Sequence, residues 1–483
     1  MTATQRAALA PAAPATALLT DMYELTMLQG ALRSGTAGRA SVFELFGRRL
    51  PASRRFGVVA GTGRLLDAVE DFVFTSAQID FLHSAGVVDD TTLDYLRDYR
   101  FSGTIRGYAE GECYFAGSPL LTVEGTFAEA CILETLALSI YNYDCAVASA
   151  ASRMTIAAHG RPCVDFGARR AHEQAAVAAA RASVVGGFVG TSDLEAGMRY
   201  GIPTVGTSAH SFTLLHDSEE DAFAAQVASL GPGTTILVDT YDIARGVERA
   251  VKAARDAGGE LGAVRLDSGD LVAEAFKVRA QLDALGATTT KITVTNDLDE
   301  YAIAGLGAAP VDSYGVGTKL VTGSGRPTAA LVYKLVERAG ADGQMHEVAK
   351  FSEGGKATVG GRKWAGRVMD EAGSAAEELV VSAQDRDEAL ASLAEATGTI
   401  VKDRPRSLKE VAAIAAEMED VVSLGVGEPD FITPWSIRES CVHGLEQGYT
   451  SYTANRGMLE LREEIAAHYA GRYGISYEPA KDI

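Results

Sequence analysis

The spacing of apolar residues changes near residue 130 and divides the chain into two kinds of sequence. Residues 17–35 carry apolar side chains at helical spacing, whereas residues 41–45 alternate like a strand. Residues 101–126 are rich in glycine, aromatic and β-branched residues, which predicts a small antiparallel sheet. The apolar segment 129–157 then predicts a long helix. The first part of the chain is therefore expected to be mixed α/β.

After the long helix, short strands alternate with helices. The strand candidates are Pro162–Phe166, Pro203–Gly206, Thr235–Asp239, Gly262–Leu266, Lys291–Thr295 and Ser313–Val316. The helical candidates between them include Ala171–Ala182, Ile243–Ala257 and Leu271–Leu285. This alternation predicts parallel βαβ units. Several strands end in Gly, Asp, Ser or Thr, as active-site loops of α/β barrels do, so a β/α barrel is expected.

Composition sets the limits of the domains. Residues 1–16 are rich in Ala, Pro and Thr and are predicted to be a disordered tail. We expect an N-terminal α/β domain over residues 17–130, completed by residues 326–402, and a barrel domain over residues 131–325. A polar segment then marks a boundary, and residues 403–483 are expected to form a separate fragment.

Charge and cysteine content exclude several classes of protein. The 483 residues carry a formal net charge of −20, which argues against a nucleic-acid or anionic-membrane partner. A local cluster of arginines could still bind a phosphate. No apolar run is long enough to span a membrane. The cysteines stand singly, which favours neither a disulfide framework nor a metal site and makes the cytoplasm the expected location: positions 113, 131, 145, 163 and 441.

Small residues surround His210 in the segment Gly206-Thr207-Ser208-Ala209-His210. The apolar residues around Val205 are typical of a short buried strand, which would place His210 in the loop at its C-terminal end. A histidine there is accessible to a phosphate. The alternative is a core histidine that satisfies a backbone carbonyl.

Three other strand ends carry residues suited to anions. Asp165-Phe-Gly-Ala-Arg169-Arg170 places two guanidiniums at the start of a helix, although a solvated basic pair has the same pattern. A second strand end has the sequence Arg265-Leu-Asp267-Ser268-Gly269-Asp270. Its backbone N–H groups could bind a phosphate, and its carboxylates could bind sugar hydroxyls or Mg²⁺. The alternative is that these residues form an ordinary helix cap.

The third strand end, Gly315-Val-Gly317-Thr318, would let the backbone approach a ligand, although a tight turn is the usual reason for such glycines. Phosphate-type loops at successive strand ends are stronger evidence together than singly. A dinucleotide-binding fold is disfavoured, because no Gly-x-Gly-x-x-Gly follows an early strand.

Six motifs in order resemble the nicotinate phosphoribosyltransferase family over roughly residues 17–370. They are Thr20-Asp21-Met22-Tyr23-Glu24-Leu25-Thr26-Met27, Phe43-Glu44-Leu45-Phe46, Asp165-Phe-Gly-Ala-Arg-Arg170, Gly206-Thr-Ser-Ala-His210, Arg265-Leu-Asp-Ser-Gly-Asp-Leu271 and Gly315-Val-Gly-Thr318. The resemblance implies a type II phosphoribosyltransferase fold, in which an irregular β/α barrel joins an α/β domain built from N- and C-terminal segments. It also implies a homodimer whose active sites lie at the subunit interface.

The resemblance further implies an ATP-coupled reaction in NAD salvage, in which nicotinate and phosphoribosyl pyrophosphate (PRPP) give nicotinate mononucleotide and pyrophosphate. In that reaction His210 would be the phosphorylated histidine. Tyr23, Thr207 and Arg265 would contact nicotinate, and Arg265 would pair with its carboxylate. Thr318 and its loop would bind the 5′-phosphate, and Arg169 would assist with the phosphates. Mg²⁺ is the expected cofactor and ATP the co-substrate; the direct Mg²⁺ ligands stay open, with Asp267 at the acidic position of its motif.

A second resemblance covers the C-terminal part of the chain. Val421–Phe431, Gly448–Gly457 and Leu459–Glu464 are similar to the N-terminal portion of class I/II pyridoxal-phosphate aminotransferases. Because the chain ends before that family's cofactor domain, we expect no transaminase activity. The alternatives are an enzyme that uses nicotinamide or quinolinate, and an inactive fusion product whose aminotransferase fragment prevents dimerisation.

Overall fold

The protein is described from a computed structural model. The structure describes residues 15–51, 54–351, 358–369, 375–397, 463–467, 470 and 476–478. The chain divides into two compact units, Met1–Met418 and Glu419–Ile483. In the second unit, the described residues include a short helical stretch at 463–467. Most of the predicted N-terminal tail and most of the aminotransferase-like fragment lie outside the described residues.

The first unit contains the helices and strands that build the site. The helices are α1 (Met22–Arg33), α2 (Thr62–Glu70), α3 (Ser76–Ser84), α4 (Asp90–Arg97), α5 (Phe127–Cys131), α6 (Glu134–Ala157), α7 (Glu173–Val185), α8 (Leu194–Tyr200), α9 (His210–Leu215), α10 (Glu219–Leu230), α11 (Ile243–Asp256), α12 (Leu271–Ala284), α13 (Glu300–Gly305), α14 (Thr318–Val321) and α15 (Arg386–Thr397). The strands are β1 (Ala40–Gly47), β2 (Gly57–Val58), β3 (Thr104–Gly107), β4 (Cys113–Tyr114), β5 (Leu121–Thr126), β6 (Cys163–Asp165), β7 (Gly190–Thr191), β8 (Thr235–Leu237), β9 (Ala263–Leu266), β10 (Lys291–Val294), β11 (Ser313–Val316), β12 (Leu331–Ala339), β13 (Met345–Glu347), β14 (Lys363–Met369) and β15 (Ala375–Ser382).

Distant parts of the chain share one antiparallel sheet, in the order β13-β12-β1-β5-β3. Strand β12 pairs with β1, so that the chain beyond residue 330 adds to a sheet begun near residue 40. Phe43 of β1 stacks on Tyr333 of β12 with ring centroids 5.0 Å apart. Both rings belong to the apolar core that this sheet shares with α1 and the surrounding helices, and the burial of such large rings stabilises the joint.

The remaining large sheet is parallel and has the order β7-β6-β11-β10-β9-β8. The sequences of its strands are short apolar runs because helices cover the sheet, as expected for buried parallel strands. This curled half-barrel confirms the predicted type II phosphoribosyltransferase fold class. All its strands run the same way, so their C-terminal ends lie along one edge, where the candidate residues are found.

The strand predicted at Pro203–Gly206 is reduced to one bridged residue, Thr204. Only an isolated bridge joins Thr204 to Thr191, and Val205 is 40% exposed. The edge position is instead taken by β7, the two-residue strand Gly190–Thr191, which the sequence analysis did not identify. Since the segment forms no further pairing there, the run before His210 is a loop that crosses the edge of the sheet.

Helix α6 connects the two cores. Its first half, from Leu136 to Cys145, packs in the core of the antiparallel sheet, whereas Val147 to Met154 pack in the core of the parallel sheet. Fourteen of its 24 residues are buried, so it is apolar on most sides, which explains its nearly continuous apolar sequence. No helix in the described ranges is long and apolar enough to cross a membrane.

Candidate active site

His210 is the first residue of α9 and lies at the C-terminal edge of the parallel sheet. Its Nδ1 is 3.1 Å from the hydroxyl of Thr240, and its Nε2 is 3.9 Å from Oδ1 of Asp239. The imidazole is 43% exposed, whereas the Asp239 side chain is 1% exposed. A core histidine would be enclosed by its neighbours. Here the ring is reachable from solvent and backed by a buried carboxylate.

Asp239 connects two neighbouring loops of this edge. Its Oδ2 accepts hydrogen bonds from the backbone N–H of Asp267 at 2.8 Å and from the Ser268 hydroxyl at 2.7 Å. Its Oδ1 is buried and accepts no hydrogen bond from any described residue. A buried carboxylate oxygen without a donor is costly, so this oxygen is suited to a proton on His210 Nε2 or to a ligand.

Arg265, on β9, holds the loop that precedes His210. Its two terminal nitrogens donate to Thr207 Oγ1 at 3.2 Å and to the Ser208 carbonyl at 3.0 Å. Its Nε is buried and has no hydrogen-bond partner among the described residues. Burial lowers the pKa of Arg265, and the charge of Arg169 adds to this effect, while Asp267 opposes it.

The loop after β9 is fixed by hydrogen bonds that leave part of Asp267 free. Asp267 Oδ1 accepts a hydrogen bond from the Thr295 hydroxyl of the neighbouring strand end. Gly269 has φ +84°, the left-handed conformation that glycine adopts readily. Asp270 caps α12 by accepting from the Ala273 N–H, so for this residue the helix-cap alternative is the observed one.

The strand ends of β6 and β11 meet at Phe166. Asp165 is fully buried and accepts from the Gly167 N–H and the Thr191 hydroxyl, each at 2.7 Å. A Cβ on Gly315 would lie 2.5 Å from the Phe166 ring. The absence of a side chain at Gly315 therefore makes room for this ring. Gly317 follows with φ −110° and leads into the first residue of α14, Thr318.

Tyr23 lies apart from these residues, on the exposed side of α1. Its side chain is hydrogen-bonded to Glu134, and partial burial together with that carboxylate raises the pKa of Tyr23 to about 12. Within the described part of one chain, no recorded hydrogen bond or ion pair connects Tyr23 with the strand ends of the barrel. It is 43% exposed, as expected of a residue available to another surface.

The structure adds residues that the sequence analysis did not select. Asp239 is the clearest, and its only sequence signal is its position at the end of a predicted strand. Asn296 and Asp297, beyond β10, have φ of +98° and +24°, which non-glycine residues rarely adopt. Such strained backbone is concentrated at functional sites. In the described ranges, no group of three or more His, Cys, Asp and Glu side chains is arranged to hold a metal ion by itself.

Comparisons with known proteins identify the family to which the chain is similar. Residues 18–142 match the nicotinate phosphoribosyltransferase (NAPRTase) N-terminal domain, and residues 162–354 match the NAPRTase family. Over 371 residues the chain is 56% identical to nicotinate phosphoribosyltransferase pncB1 of Mycobacterium tuberculosis, covering 75% of this chain and 80% of that protein.

More distant proteins give the same result. The chain is 36% identical to nicotinate phosphoribosyltransferase of Bacillus subtilis over 361 residues, which cover 73% of each chain. The crystal structure of human nicotinic acid phosphoribosyltransferase superposes with a TM-score of 0.65 at 27% identity, covering 76% of this chain and 82% of that one.

Proposed function

Because this chain belongs to the nicotinate phosphoribosyltransferase family, we propose that it transfers the phosphoribosyl group of PRPP to nicotinate in an ATP-coupled reaction. The products would be nicotinate mononucleotide, a precursor of NAD, and pyrophosphate. The observation that carries this proposal is the convergence of Arg265, His210 and Asp239 at one edge of the parallel sheet.

Arg265 is the residue proposed to select nicotinate. Its guanidinium is half-buried, its Nε lacks a partner, and its remaining nitrogens are fixed by the Thr207–Ser208 loop. A fixed planar guanidinium is suited to a carboxylate. Nicotinamide carries no charge, and it would leave the buried cation unpaired. This supports nicotinate as the preferred base.

The transfer itself needs positioning more than covalent chemistry by the protein. The ring nitrogen of nicotinate attacks C1 of the ribosyl group as pyrophosphate leaves, and positive charge develops on the sugar. Groups that hold the two reactants in line supply most of the acceleration. We assign the phosphates to Arg169 and to N–H groups of the Ser268–Gly269 and Gly315–Thr318 loops.

His210 is proposed to couple ATP to this reaction by accepting its γ-phosphate, with ADP as the leaving group. Asp239 can only accept hydrogen bonds when ionised, so it favours the tautomer with the proton on Nε2. In that tautomer the Nδ1 lone pair is the nucleophile: once the Thr240 hydroxyl, 3.1 Å from Nδ1, turns its hydrogen away, Nδ1 forms the bond to the γ-phosphorus as the bond to ADP breaks. The phosphohistidine would add a strong anion beside Arg265 and could thereby change the affinity for PRPP.

Mg²⁺ would reach the site bound to the pyrophosphate group of PRPP. Proteins typically hold this ion through one or two carboxylates together with substrate phosphates. Asp267 fits this requirement, because it is half-buried at the strand end and only Oδ1 is engaged by Thr295. When bound, the ion would neutralise charge on the leaving pyrophosphate.

A second copy of the chain is proposed to complete the site. Tyr23 projects from α1 together with exposed Met22 and Met27, and the barrel edge exposes Leu214 and Leu215 of α9, the latter by 78%. Apolar side chains grouped in this way mark association surfaces. In a homodimer, Tyr23 of one subunit would reach the nicotinate pocket of the other. A single concentration-independent monomer mass in light scattering, from active enzyme, would refute this arrangement.

The choice of base is tested by pyrophosphate release from PRPP with nicotinate, nicotinamide or quinolinate. Release specific to nicotinate is expected. Equal or faster release with nicotinamide or quinolinate would contradict the role given to Arg265 and favour the corresponding alternative enzyme. No release with any base from folded, dimeric protein would refute the activity.

A further inference from the structure

The one-turn helix α14, which begins at Thr318, is held in place by side chains from distant parts of the chain. Its last carbonyls lack partners within so short a helix. The hydroxyl of Tyr143, on α6, donates to the Val321 carbonyl at 3.0 Å. Arg54, in the loop between β1 and β2, donates from Nη2 to the Gly323 carbonyl at 2.6 Å and to the Ala146 carbonyl at 3.3 Å.

The backbone after α14 is strained. Gly323, Ser324 and Gly325 have successive φ values of +58°, +53° and +79°. This left-handed backbone conformation costs free energy for a serine, and it is found where surrounding contacts fix the residue. The Ser324 hydroxyl is held by Glu300 at 2.7 Å. Arg54 donates a hydrogen bond to the Gly323 carbonyl at the start of this turn, and it therefore fixes the backbone at the point where the chain reverses.

The charge of Arg54 distinguishes it from an ordinary structural arginine. Its side chain is buried, with 6% of the residue exposed, and its hydrogen-bond acceptors are neutral carbonyls. It forms no ion pair with a carboxylate in the described ranges. Burial of a cation without a directly paired carboxylate is costly, and burial lowers the pKa of Arg54, although the charge of Glu300 opposes this effect. An anion bound one helical turn away, at Thr318, would offset part of this cost.

We propose that Arg54 is a positioning residue for the 5′-phosphate site of PRPP, acting with Tyr143 through the Val321–Gly323 end of α14. This inference rests on the proposed function, because it takes the Gly317–Thr318 loop as the phosphate site. Arg54 does not touch the substrate. It fixes the far end of the single turn that begins at Thr318, and its positive charge favours an anion bound to this turn.

The test uses the full chain with the substitutions Arg54→Lys and Tyr143→Phe. Arg54→Lys removes the planar donor, and Tyr143→Phe removes one hydroxyl. Each should raise the KM for PRPP by about tenfold, the usual effect of losing one such hydrogen bond. The KM for nicotinate should change little, and the melting temperature should fall modestly because a buried carbonyl loses its donor. Ribose 5-phosphate, used as a probe that carries the same phosphate, should bind both variants more weakly in calorimetry.

Arg161→Lys is the matched control. Arg161 also donates to backbone carbonyls, those of Leu306 and Gly307, but at the opposite end of the parallel strands. It should leave the KM for PRPP unchanged. The inference is overturned if neither variant differs from this control in its affinity for ribose 5-phosphate, or if the KM values for PRPP and nicotinate rise together.

The tests of the inference and of the proposed function can fail separately. Should Arg54→Lys not fold, Tyr143→Phe alone decides the question by the same measurements. A wild-type enzyme that forms no nicotinate mononucleotide would refute the proposed function. Calorimetry with ribose 5-phosphate would still test whether the Thr318 loop is a phosphate site that depends on Tyr143.

Discussion

Oδ1 of Asp239 lies 3.9 Å from Nε2 of His210, while Oδ2 of the same carboxylate accepts the Asp267 N–H at 2.8 Å. One buried side chain thus sets the position of the loop after β9 and faces the histidine proposed to be phosphorylated. This connects the nucleotide-dependent part of the site to the part that binds the sugar and base, and several of the following predictions depend on it.

Replacing His210 by alanine should abolish the stimulation by ATP and leave some ATP-independent synthesis, because Arg265 and the phosphate loops are untouched. The measurement is nicotinate mononucleotide formation with and without ATP. His216→Ala is the control, since His216 is hydrogen-bonded to the Phe212 carbonyl at the end of the same helix. Undiminished ATP coupling in the His210 variant would disprove the role of this residue.

Asp239→Asn should reduce ATP stimulation by at least about tenfold, because an amide N–H facing Nε2 can donate a hydrogen bond to it and so favours the wrong tautomer of His210. The ATP-independent rate should fall less, since the amide oxygen can still accept the Asp267 N–H. Transfer of labelled γ-phosphate to the protein measures this step. Wild-type labelling in the variant would show that Asp239 does not orient the imidazole.

Arg265→Lys should weaken the preference for nicotinate over nicotinamide by about tenfold or more, because an ammonium cannot form two parallel hydrogen bonds to a carboxylate. The loop at Thr207 also loses its donors. The ratio of kcat/KM values for the two bases gives the result. A ratio equal to that of the wild type would place the carboxylate elsewhere.

Asp165 provides a prediction about pH. Burial raises the pKa of Asp165 to about 6 from the ordinary 3.8. Between these two values the folded protein binds more protons than the unfolded chain, so the free energy of unfolding contributed by Asp165 decreases as pH rises from about 4 through about 6. Asp165→Asn cannot ionise and should remove this decrease. Urea unfolding of both proteins at pH 4.5 and 7.5 tests the sign, and identical pH dependence would refute it.

Removal of the chain beyond about residue 405 should leave phosphoribosyl transfer intact. The described site residues lie between Asp165 and Thr318, apart from Tyr23 on α1, and the last described helix of the first unit ends at Thr397. The truncated and full-length proteins should share the same KM for PRPP. Loss of activity from a truncated protein that is folded and dimeric would show that the C-terminal segment takes part in the site.

The fold was largely predictable, because parallel strands are short apolar runs bounded by Gly, Asp and Ser. The strands from β8 to β11 lie within the predicted segments. The strand around Val205 was overpredicted, because an apolar pair in an exposed loop has the same local pattern as a two-residue strand. The two-residue β7 carries too little sequence to be recognised.

The site was predictable only where a motif carried it. The sequence motifs identified His210 and Arg265 as candidates on separate loops. The structure shows that Arg265 holds the loop that leads to His210. Asp239 and Arg54 were missed, since their importance depends on partners that are distant in sequence: Arg54 meets Gly323 across 269 positions. Tyr23 was assigned from the family resemblance, and within one described chain it stands apart from the barrel edge.

The most direct test of this account is nicotinate mononucleotide formation from PRPP and nicotinate by the purified chain, measured with and without ATP. We expect synthesis that ATP stimulates, with ADP and pyrophosphate released alongside the product. Synthesis that ATP does not change, with no ADP formed, would contradict the coupling assigned to His210 and Asp239.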